Sequence, residues 1–386
     1  MFHNDLKNLD HKGLLRKISD RGIASCGQPI PSLARIEISG EQYINFASND
    51  YLGLAASHTI LEAAKKSLEV FPFGAGASRL LSGGTTFHSE LEEAVTRFKK
   101  TGAALVFNSG YQANVSCISA LAREGDVIFS DELNHASIVD GCRLSRAKKV
   151  VYPHSDVDTL STLMQKERAA RKIVISDTIF SMDGDIAPVS GLYTLCESIP
   201  DTLLFLDDAH GTGVLGGGHG ALAHFNLKPE PWIVQMGTFS KALGSFGAFI
   251  AGSREVIDWL VNTARGFIYS TALPACVVAA SAAAIGTIEN DKSIVERLWR
   301  NQRRAVEGIA NAGFYIICKD TPIIAVSIGD IAITLAFSEK LRQRHIYAPA
   351  IRPPTVKTPR IRVTVSGAHT DEDIEALINA FRAARQ

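Results

Sequence analysis

The feature that most constrains the fold is a series of short apolar runs through the middle of the chain. These runs lie at 104–107, 127–130, 150–152, 173–176, 203–206, 233–236 and 248–251. Most are separated by stretches long enough for a helix, and this alternation is typical of α/β folds. Because the runs are apolar on both faces, they predict a mostly parallel seven-stranded sheet with helices on both sides. Ligands are then expected at the carboxyl ends of the strands.

The pattern changes after about residue 289. A long helix up to Ala312 is followed by strands near 323–326 and 361–365, a helix near 332–344 and a last helix from Asp371. This order predicts a smaller α+β lobe. We therefore expect three parts, an N-terminal arm over 1–45, a large ligand-binding domain over 46–288 and a small C-terminal domain over 289–386.

Composition excludes several classes of function. The 386 residues contain 40 Lys plus Arg and 40 Asp plus Glu, so no net charge attracts nucleic acid or an anionic membrane. No apolar segment near the N-terminus indicates a signal peptide, and the Ala-rich stretch 272–284 is too short to span a bilayer. Six separated cysteines without a C-x-x-C pair predict neither disulfides nor a metal site. A cytoplasmic location is expected.

Two ionisable residues follow predicted strands at the edge where a ligand is expected. Asp207 ends the apolar run 203–206, although an Asp at this point is also a common helix N-cap. Lys241 follows the run 233–236 among Gly, Thr and Ser residues. Burial there would lower the pKa of its amine and make it a nucleophile, and an ordinary surface lysine is the alternative.

A third element predicts a phosphate site. The segment 107–114 passes from a strand into a helical stretch, with Gly110 at the turn. Free backbone N–H groups at a helix N-terminus attract anions, and a glycine lets a phosphate approach the backbone closely. An ordinary strand-to-helix turn is the alternative.

One motif suggests a different cofactor but lies in the wrong context. Residues 211–216 match G-x-G-x-x-G, the pattern of dinucleotide-binding turns. That pattern should follow a strand directly and open a helix. Here residues 208–210 intervene and a further glycine-rich stretch follows, so a nicotinamide dehydrogenase is not expected.

Taken together, the chain resembles the α-oxoamine synthases, which are pyridoxal 5′-phosphate (PLP) enzymes of fold type I, along essentially its whole length. The matching stretches are SNDYLGL at 48–54, NHAS at 134–137, FSMDG at 180–184, DDAHGTG at 207–213, TFSK at 238–241 and YST at 269–271. The resemblance implies the PLP-dependent transferase fold, with its large parallel sheet and smaller C-terminal lobe.

The resemblance also implies how PLP is held and which residues are catalytic. Lys241 would carry the cofactor as a Schiff base, and Asp207 would pair with the pyridine nitrogen. His210 would bond the ring hydroxyl, and His135 would stack on the ring face. Further cofactor contacts are expected from Gly110, Tyr111, Ser181, Thr238 and Thr271.

The implied substrates are an amino acid and an acyl thioester. Arg362 would hold the amino-acid carboxylate, with an exposed cation on an edge strand as the alternative. Other substrate contacts are expected from Arg21, Asn49, His135 and Thr355, and for Arg21 an unrelated surface arginine is the alternative. Thr271 would reach the phosphate in a neighbouring subunit, which implies a homodimer with active sites at its interface.

The run 350–356 distinguishes branches of the family. It resembles the branch that condenses L-alanine with a pimeloyl thioester in biotin biosynthesis, where it lines the acyl-chain entrance. The link 357–359 is shorter than usual. Glycine C-acetyltransferases, aminolevulinate synthases and serine palmitoyltransferases remain as alternatives. A catalytically silent subunit would lack Lys241, and a PLP aldolase or desulfurase would lack the run 351–356.

Overall fold

The computed structural model describes residues 2–11, 15, 18, 21–22 and 32–385. Much of the predicted N-terminal arm therefore lies outside the described residues. Within the described part the strands are β1 (Arg35–Ile38), β2 (Glu41–Asn45), β3 (Ala103–Phe107), β4 (Val127–Asp131), β5 (Lys148–Tyr152), β6 (Lys172–Asp177), β7 (Thr202–Asp207), β8 (Ile233–Thr238), β9 (Ala248–Gly252), β10 (Tyr315–Cys318), β11 (Ile323–Ser327), β12 (Ile346–Tyr347), β13 (Ala350–Ile351) and β14 (Arg360–Thr364).

Helices alternate with the strands through most of the chain. The α-helices of the described residues are α1 (His3–His11), α2 (His58–Leu68), α3 (Thr86–Lys99), α4 (Gly110–Leu121), α5 (Ala136–Leu144), α6 (Val157–Lys166), α7 (Val189–Ser198), α8 (Ala221–His224), α9 (Arg254–Thr263), α10 (Arg265–Ile268), α11 (Ala275–Asn290), α12 (Ser293–Asn311), α13 (Ile331–Arg342) and α14 (Asp371–Ala384). In the described ranges, no helix is both long enough and apolar enough to cross a bilayer.

The large sheet confirms the predicted fold class. Its order is β3-β9-β8-β7-β6-β4-β5, and all seven predicted apolar runs lie in its strands. The pairs β4–β5, β4–β6, β6–β7 and β7–β8 are parallel, whereas β9 runs antiparallel to both β3 and β8. The carboxyl ends of β4, β6, β7 and β8 therefore meet at one edge of the sheet.

Two cores cover the two faces of this sheet. Neighbouring residues of β6 illustrate the division, because Val174 packs in one core and Ile175 in the other. Helices α2, α3 and α11 contribute to the first core, and α4, α5, α9 and α10 to the second. At one edge of the sheet, β5 exposes Lys148, Lys149 and Val151. An edge strand with lysines is a common protection against unwanted strand pairing.

A second sheet, in the order β10-β11-β14-β13, forms the centre of the C-terminal part. Its core includes Ile324, Phe337, Ile361 and Phe381. Strand β14 lies inside this sheet, between β11 and β13. A third small sheet joins the ends of the chain, because β12 pairs in parallel with β2. The sequence did not predict β1, β2, β10, β12 or β13, all of which are short.

Candidate active site

A polar cavity of about 250 Å³ lies at the carboxyl edge of the large sheet. We call it the polar cavity, and it is lined by Ser109, Gly110, Tyr111, Asn114, His135, Ser137, Asp177, Asp207, Ala209, His210, Met236, Thr238, Ser240 and Lys241. A larger cavity, of about 730 Å³, is lined by Leu6, Leu9, Leu15 and residues 350–355, and we call it the apolar cavity. Among the described residues that line the apolar cavity, Arg352 has the one ionisable side chain, so the polar cavity is the candidate for the chemistry.

Asp207 is a buried carboxylate that the described residues leave without an ion pair. It ends β7 and is 3% exposed. Its Oδ2 accepts a hydrogen bond from Asn114 Nδ2 at 2.7 Å, and its Oδ1 accepts one from the Ala209 amide at 3.0 Å. Burial raises the pKa of Asp207, and the charge of Lys241 and these hydrogen bonds oppose the rise. A cationic partner entering the cavity would relieve the cost of burial.

The neighbouring carboxylate, Asp208, is already satisfied. Its Oδ2 lies 2.8 Å from Lys99 Nζ in a fully buried ion pair, and Thr212 donates to the same oxygen at 2.9 Å. Thr178 donates to its Oδ1 at 2.7 Å. Asp208 therefore anchors the turn at 208–212 and has no free position for a ligand.

Lys241 projects into the polar cavity from the turn after β8. Burial lowers the pKa of its amine to about 8, against the opposing charges of Asp207 and Asp177. At that pKa roughly a tenth of the amine is unprotonated at pH 7, and this fraction can act as a nucleophile. The turn depends on Gly244, because a Cβ there would lie 2.2 Å from the amide nitrogen of Ala55.

Two histidines face the cavity in neutral form. His210 is 6% exposed, and its Nδ1 lies 2.7 Å from the Tyr51 hydroxyl. Burial, followed by the nearby positive charges of Lys241 and Arg362, lowers the pKa of His210 well below its usual range. His135 is the N-cap of α5, with Nδ1 2.7 Å from Ser137 Oγ, and burial lowers its pKa also.

The part of the polar cavity next to the N-terminus of α4 is suited to an anion. Helix α4 begins at Gly110, so its first N–H groups point to this end. The Thr238 and Ser240 hydroxyls, which lie 2.7 Å apart, belong to residues that line the same cavity. A Cβ at Gly110 would make only an ordinary contact with Met236, at 3.6 Å. Packing alone therefore does not require this glycine, and close approach of a phosphate stays a prediction.

Arg362, on β14 of the second sheet, lies near the site, because its charge acts on Lys241 and His210. It is 6% exposed and lies inside its sheet, so the alternative of an exposed cation on an edge strand is wrong. Its guanidinium donates to the Ser181 carbonyl at 2.7 Å, to Thr364 Oγ at 2.8 Å and to Asn49 Oδ1 at 3.2 Å. Asn49 and Ser181 therefore hold this arginine in the structure, and neither lines the polar cavity.

Three further predicted residues, like Arg362, Asn49 and Ser181, do not line the polar cavity. Thr355 is exposed and lines the apolar cavity. Arg21 donates to the Tyr347 hydroxyl at 2.5 Å and lies over that ring. Thr271 is exposed, pairs with Ser78 through a β-bridge, and accepts a hydrogen bond from Asn108 through its carbonyl. Their predicted contacts with substrate or cofactor stay predictions.

Sequence reasoning missed five polar residues of the cavity, Ser109, Asn114, Ser137, Asp177 and Ser240. Signals for three of them were present. Asn114 lies about one helical turn after Gly110, Ser137 closes the NHAS stretch, and Asp177 ends a buried strand as Asp207 does. Ser240 directly precedes Lys241, where no periodicity distinguishes it from other turn residues.

These residues fit PLP. An unpaired buried carboxylate suits a protonated ring nitrogen, a helix N-terminus with two hydroxyls suits a phosphate, and a buried amine of lowered pKa suits the aldehyde. The buried Asn114 Oδ1, which has no partner among the described residues, shows that the polar groups of the cavity are incompletely satisfied by protein.

Similar proteins agree with this fit. A putative 8-amino-7-oxononanoate synthase of Thermodesulfovibrio yellowstonii is 49% identical over 99% of this chain and 96% of its own length. The 8-amino-7-oxononanoate synthase of Geobacter metallireducens is 45% identical over 99% of this chain and 97% of its own length.

Solved structures share the fold. A structure of SPT, serine palmitoyltransferase, with a PLP internal aldimine matches with a TM-score of 0.90 at 28% identity, over 99% of this chain and 97% of that one. The 8-amino-7-oxononanoate synthase of Francisella tularensis matches with a TM-score of 0.77 at 26% identity, over 88% and 97%. The family described as aminotransferase class I and II matches residues 41–381. The chain therefore belongs to the class I and II aminotransferase family, and PLP is its cofactor.

Proposed function

We propose that the chain catalyses the PLP-dependent condensation of L-alanine with a pimeloyl thioester, the 8-amino-7-oxononanoate synthase reaction of biotin biosynthesis. The products are 8-amino-7-oxononanoate, carbon dioxide and the free thiol. The observation that carries the proposal is that Lys241 and Asp207 line one cavity, with the charge of Arg362 acting on Lys241, in a chain 45–49% identical to proteins of that name. The SPT structure matches with a higher TM-score than the Francisella synthase structure, but its 28% identity is well below the 45–49% of the two synthase sequences.

PLP, when bound, supplies an electron sink for negative charge at the substrate Cα. Asp207 supports this chemistry by favouring a protonated ring nitrogen. A carboxylate about 4 Å from a positive charge contributes about 4 kcal/mol at an effective dielectric near 20, which corresponds to roughly three pKa units. His210 and His135, both neutral, would donate to or pack against the bound ring without adding a competing charge.

Lys241 and Arg362 act on the amino acid. The Arg362 guanidinium would bind the substrate carboxylate and so orient the Cα–H bond toward the Lys241 amine. Lys241 Nζ would then accept the Cα proton, for which a pKa of about 8 is well matched near neutral pH. A new bond joins Cα to the thioester carbonyl carbon, and the C–S bond breaks to release the thiolate, which takes up a proton from solvent. The original carboxylate then leaves as carbon dioxide, and Lys241 returns a proton to Cα.

The acyl chain would enter through the apolar cavity. Leu6, Leu9 and Leu15 form one wall, and residues 350–355, which include Thr355, form the other. Such walls suit the methylene groups of an acyl chain. Arg21, whose guanidinium lies over the Tyr347 ring, would contact the acyl substrate.

An exposed apolar surface supports the proposal of a homodimer. Val70, Phe73, Leu81 and Tyr269 are each at least 70% exposed. The Ser78–Thr271 bridge joins the two segments that carry them. An exposed apolar surface of this kind marks an interface, and a second copy would cover it. Thr271 would then reach the phosphate of the neighbouring site.

A matrix of amino acids against acyl thioesters tests the proposal, with release of carbon dioxide and thiol as the readouts. Alanine with pimeloyl-CoA or pimeloyl acyl carrier protein should give the highest kcat/KM. Faster turnover of glycine with acetyl-CoA, or of serine with palmitoyl-CoA, would assign the chain to a sister reaction. Rescue of a biotin auxotroph that lacks this step should accompany the expected result.

A further inference from the structure

Asp177 is a buried carboxyl group of the polar cavity to which the proposed reaction gives no role. It ends β6 and is 5% exposed. In the sheet register its Cα is paired with that of Asp207 at the end of β7. Register partners project on the same side of a sheet, and both side chains line the polar cavity. The site therefore contains two neighbouring buried carboxyl groups.

Asp177 fastens the loop that carries His135 to the end of β6. Its Oδ2 accepts a hydrogen bond from the His135 amide at 2.7 Å, and its own amide donates to Asn134 Oδ1 at 2.9 Å. Asn134 Nδ2 donates in turn to the Ile175 carbonyl at 2.9 Å. These three bonds fix the backbone of the residue predicted to stack on the cofactor.

Hydrogen bonds that begin at the other carboxyl group, that of Asp207, hold the His135 side chain. Asn114 Nδ2 donates to Asp207 Oδ2 at 2.7 Å and lies 2.8 Å from Ser137 Oγ. Ser137 Oγ lies 2.7 Å from His135 Nδ1. A continuous chain of hydrogen bonds thus runs from Asp207 through Asn114, Ser137 and His135 to Asp177.

The carboxyl groups of Asp207 and Asp177 differ in the hydrogen bonds that they accept and in the charges that surround them. Asp207 accepts two hydrogen bonds, whereas Asp177 accepts one, from the amide of His135. Burial and then the Asp207 charge raise the pKa of Asp177 well above its usual range. Asp131 acts in the same direction, while the His135 amide and the charge of Lys241 oppose the rise. Two adjacent buried carboxyl groups cannot both ionise cheaply.

We propose that Asp177 is a positioning residue that fixes His135 over the cofactor and holds the proton of the carboxyl pair. Asp207 is then the single carboxylate available to the ring nitrogen. The proposal concerns PLP alone and is independent of which amino acid and thioester react.

The test compares Asp177→Asn, Asp177→Ala and Asp177→Ser with the unaltered protein. Asparagine keeps an acceptor for the His135 amide and removes the ionisable group, whereas alanine and serine remove the carboxyl acceptor. Three quantities are measured, the dissociation constant of PLP, the pH midpoint of the visible absorbance of bound PLP, and hydrogen exchange of the peptide that contains His135.

Asp177→Asn should keep PLP affinity within about threefold and leave the absorbance midpoint unchanged, because it replaces a neutral carboxyl by a neutral amide. Asp177→Ala and Asp177→Ser should weaken PLP binding about tenfold and speed exchange at His135, because the amide loses its partner. If the Asp177→Ala protein does not fold, the measurements on Asp177→Ser provide the test. A midpoint shift of about one unit in Asp177→Asn would show that Asp177 is ionised and overturn the proposal, as would wild-type affinity in both truncated variants.

Heat unfolding of the protein without PLP gives a further readout. A carboxyl with a raised pKa in the folded state lowers stability increasingly as pH rises above its unfolded pKa, about 3.9. Asp177→Asn should therefore raise the unfolding temperature, with a gain larger at pH 8 than at pH 5. Loss of stability at pH 8 would contradict the protonated assignment.

Asp131→Asn is the matched control. Asp131 also ends a buried strand, but it pairs with His154 at 3.0 Å and does not line the polar cavity. This variant should lower the unfolding temperature and leave PLP affinity and the absorbance midpoint within about twofold and a few tenths of a unit. An Asp131→Asn effect on PLP equal to that of Asp177→Ala would mean that the cavity responds to general destabilisation, and the proposal would fall.

Discussion

The polar cavity and the apolar cavity are built in opposite ways. The polar cavity holds two aspartates, two histidines and a lysine at the ends of strands, and hydrogen bonds fix most of them. The apolar cavity is about three times larger and is walled by leucines and by residues 350–355. Its helix α1 has no buried residue.

This difference predicts that the two cavities contribute to different kinetic parameters. Burying charges at the polar cavity costs free energy, and a bound partner of opposite charge offsets that cost. Changes there should therefore alter turnover. The walls of the apolar cavity make non-directional contacts, so changes there should alter the KM of one substrate by modest factors.

The largest effect should come from Asp207→Asn. Loss of a carboxylate worth about 4 kcal/mol to a protonated ring nitrogen should lower kcat by roughly a hundredfold to a thousandfold. Asp208→Asn leaves Lys99 buried without its partner, and should instead cost about 3 to 5 kcal/mol of folding stability. Activity assays and heat unfolding of the two variants separate these effects. Equal losses of activity in the soluble proteins would show that the two carboxylates were assigned wrongly.

A smaller effect is expected for Arg362→Gln. Losing a charge-assisted contact with the amino-acid carboxylate costs about 1.5 to 3 kcal/mol, so KM for alanine should rise by roughly ten- to a hundredfold. KM for the thioester should change little. An increase confined to KM for the thioester would show that Arg362 binds the thioester and not the amino acid.

Changes in the apolar cavity should have the reverse preference. Thr355→Val and Leu9→Ala should each raise KM for the thioester severalfold, about 1 kcal/mol, without changing KM for alanine. Steady-state kinetics with each substrate varied separately make the measurement. Unchanged thioester kinetics in both variants would remove the apolar cavity from the acyl path.

The smallest effect should be on stability, at an ion pair that lines neither cavity. His154 lies 3.0 Å from Asp131 and 2.9 Å from Asp185, close to the loop that carries Ser181. Burial disfavours its charge, but the two carboxylates outweigh burial and raise its pKa to about 10.

Because the folded pKa of His154 exceeds the unfolded value of about 6.5, its stabilisation is complete below pH 6.5 and is lost as pH rises through about 10. His154→Gln should therefore lower the unfolding temperature by a few degrees at pH 6, and less at pH 10. His58→Gln, at an exposed helix position, is the control and should change little. A deficit that grows with pH would contradict the account.

The sequence predicted the large sheet well because each of its strands is a compact apolar run between helices. It predicted Asp207 and Lys241 because strand ends in such a sheet meet at one edge. Short strands such as β12 and β13 were missed because two residues carry no periodicity. Asp177 was missed because its role depends on the register between β6 and β7, which the sequence does not display.

The resemblance to a family supplied what periodicity could not. Arg362 comes from the small domain, and its contact with Asn49 joins residues 313 positions apart. No local pattern predicts such a meeting.

Borohydride reduction of the purified protein with PLP tests the central claim most directly. Reduction fixes the cofactor to the lysine that holds it, and peptide mapping then identifies that residue. The label should lie on Lys241 alone, Lys241→Ala should take up none, and that variant should keep its fold. A label on any other lysine, or equal labelling of Lys241→Ala, would contradict the assignment of the polar cavity as the active site.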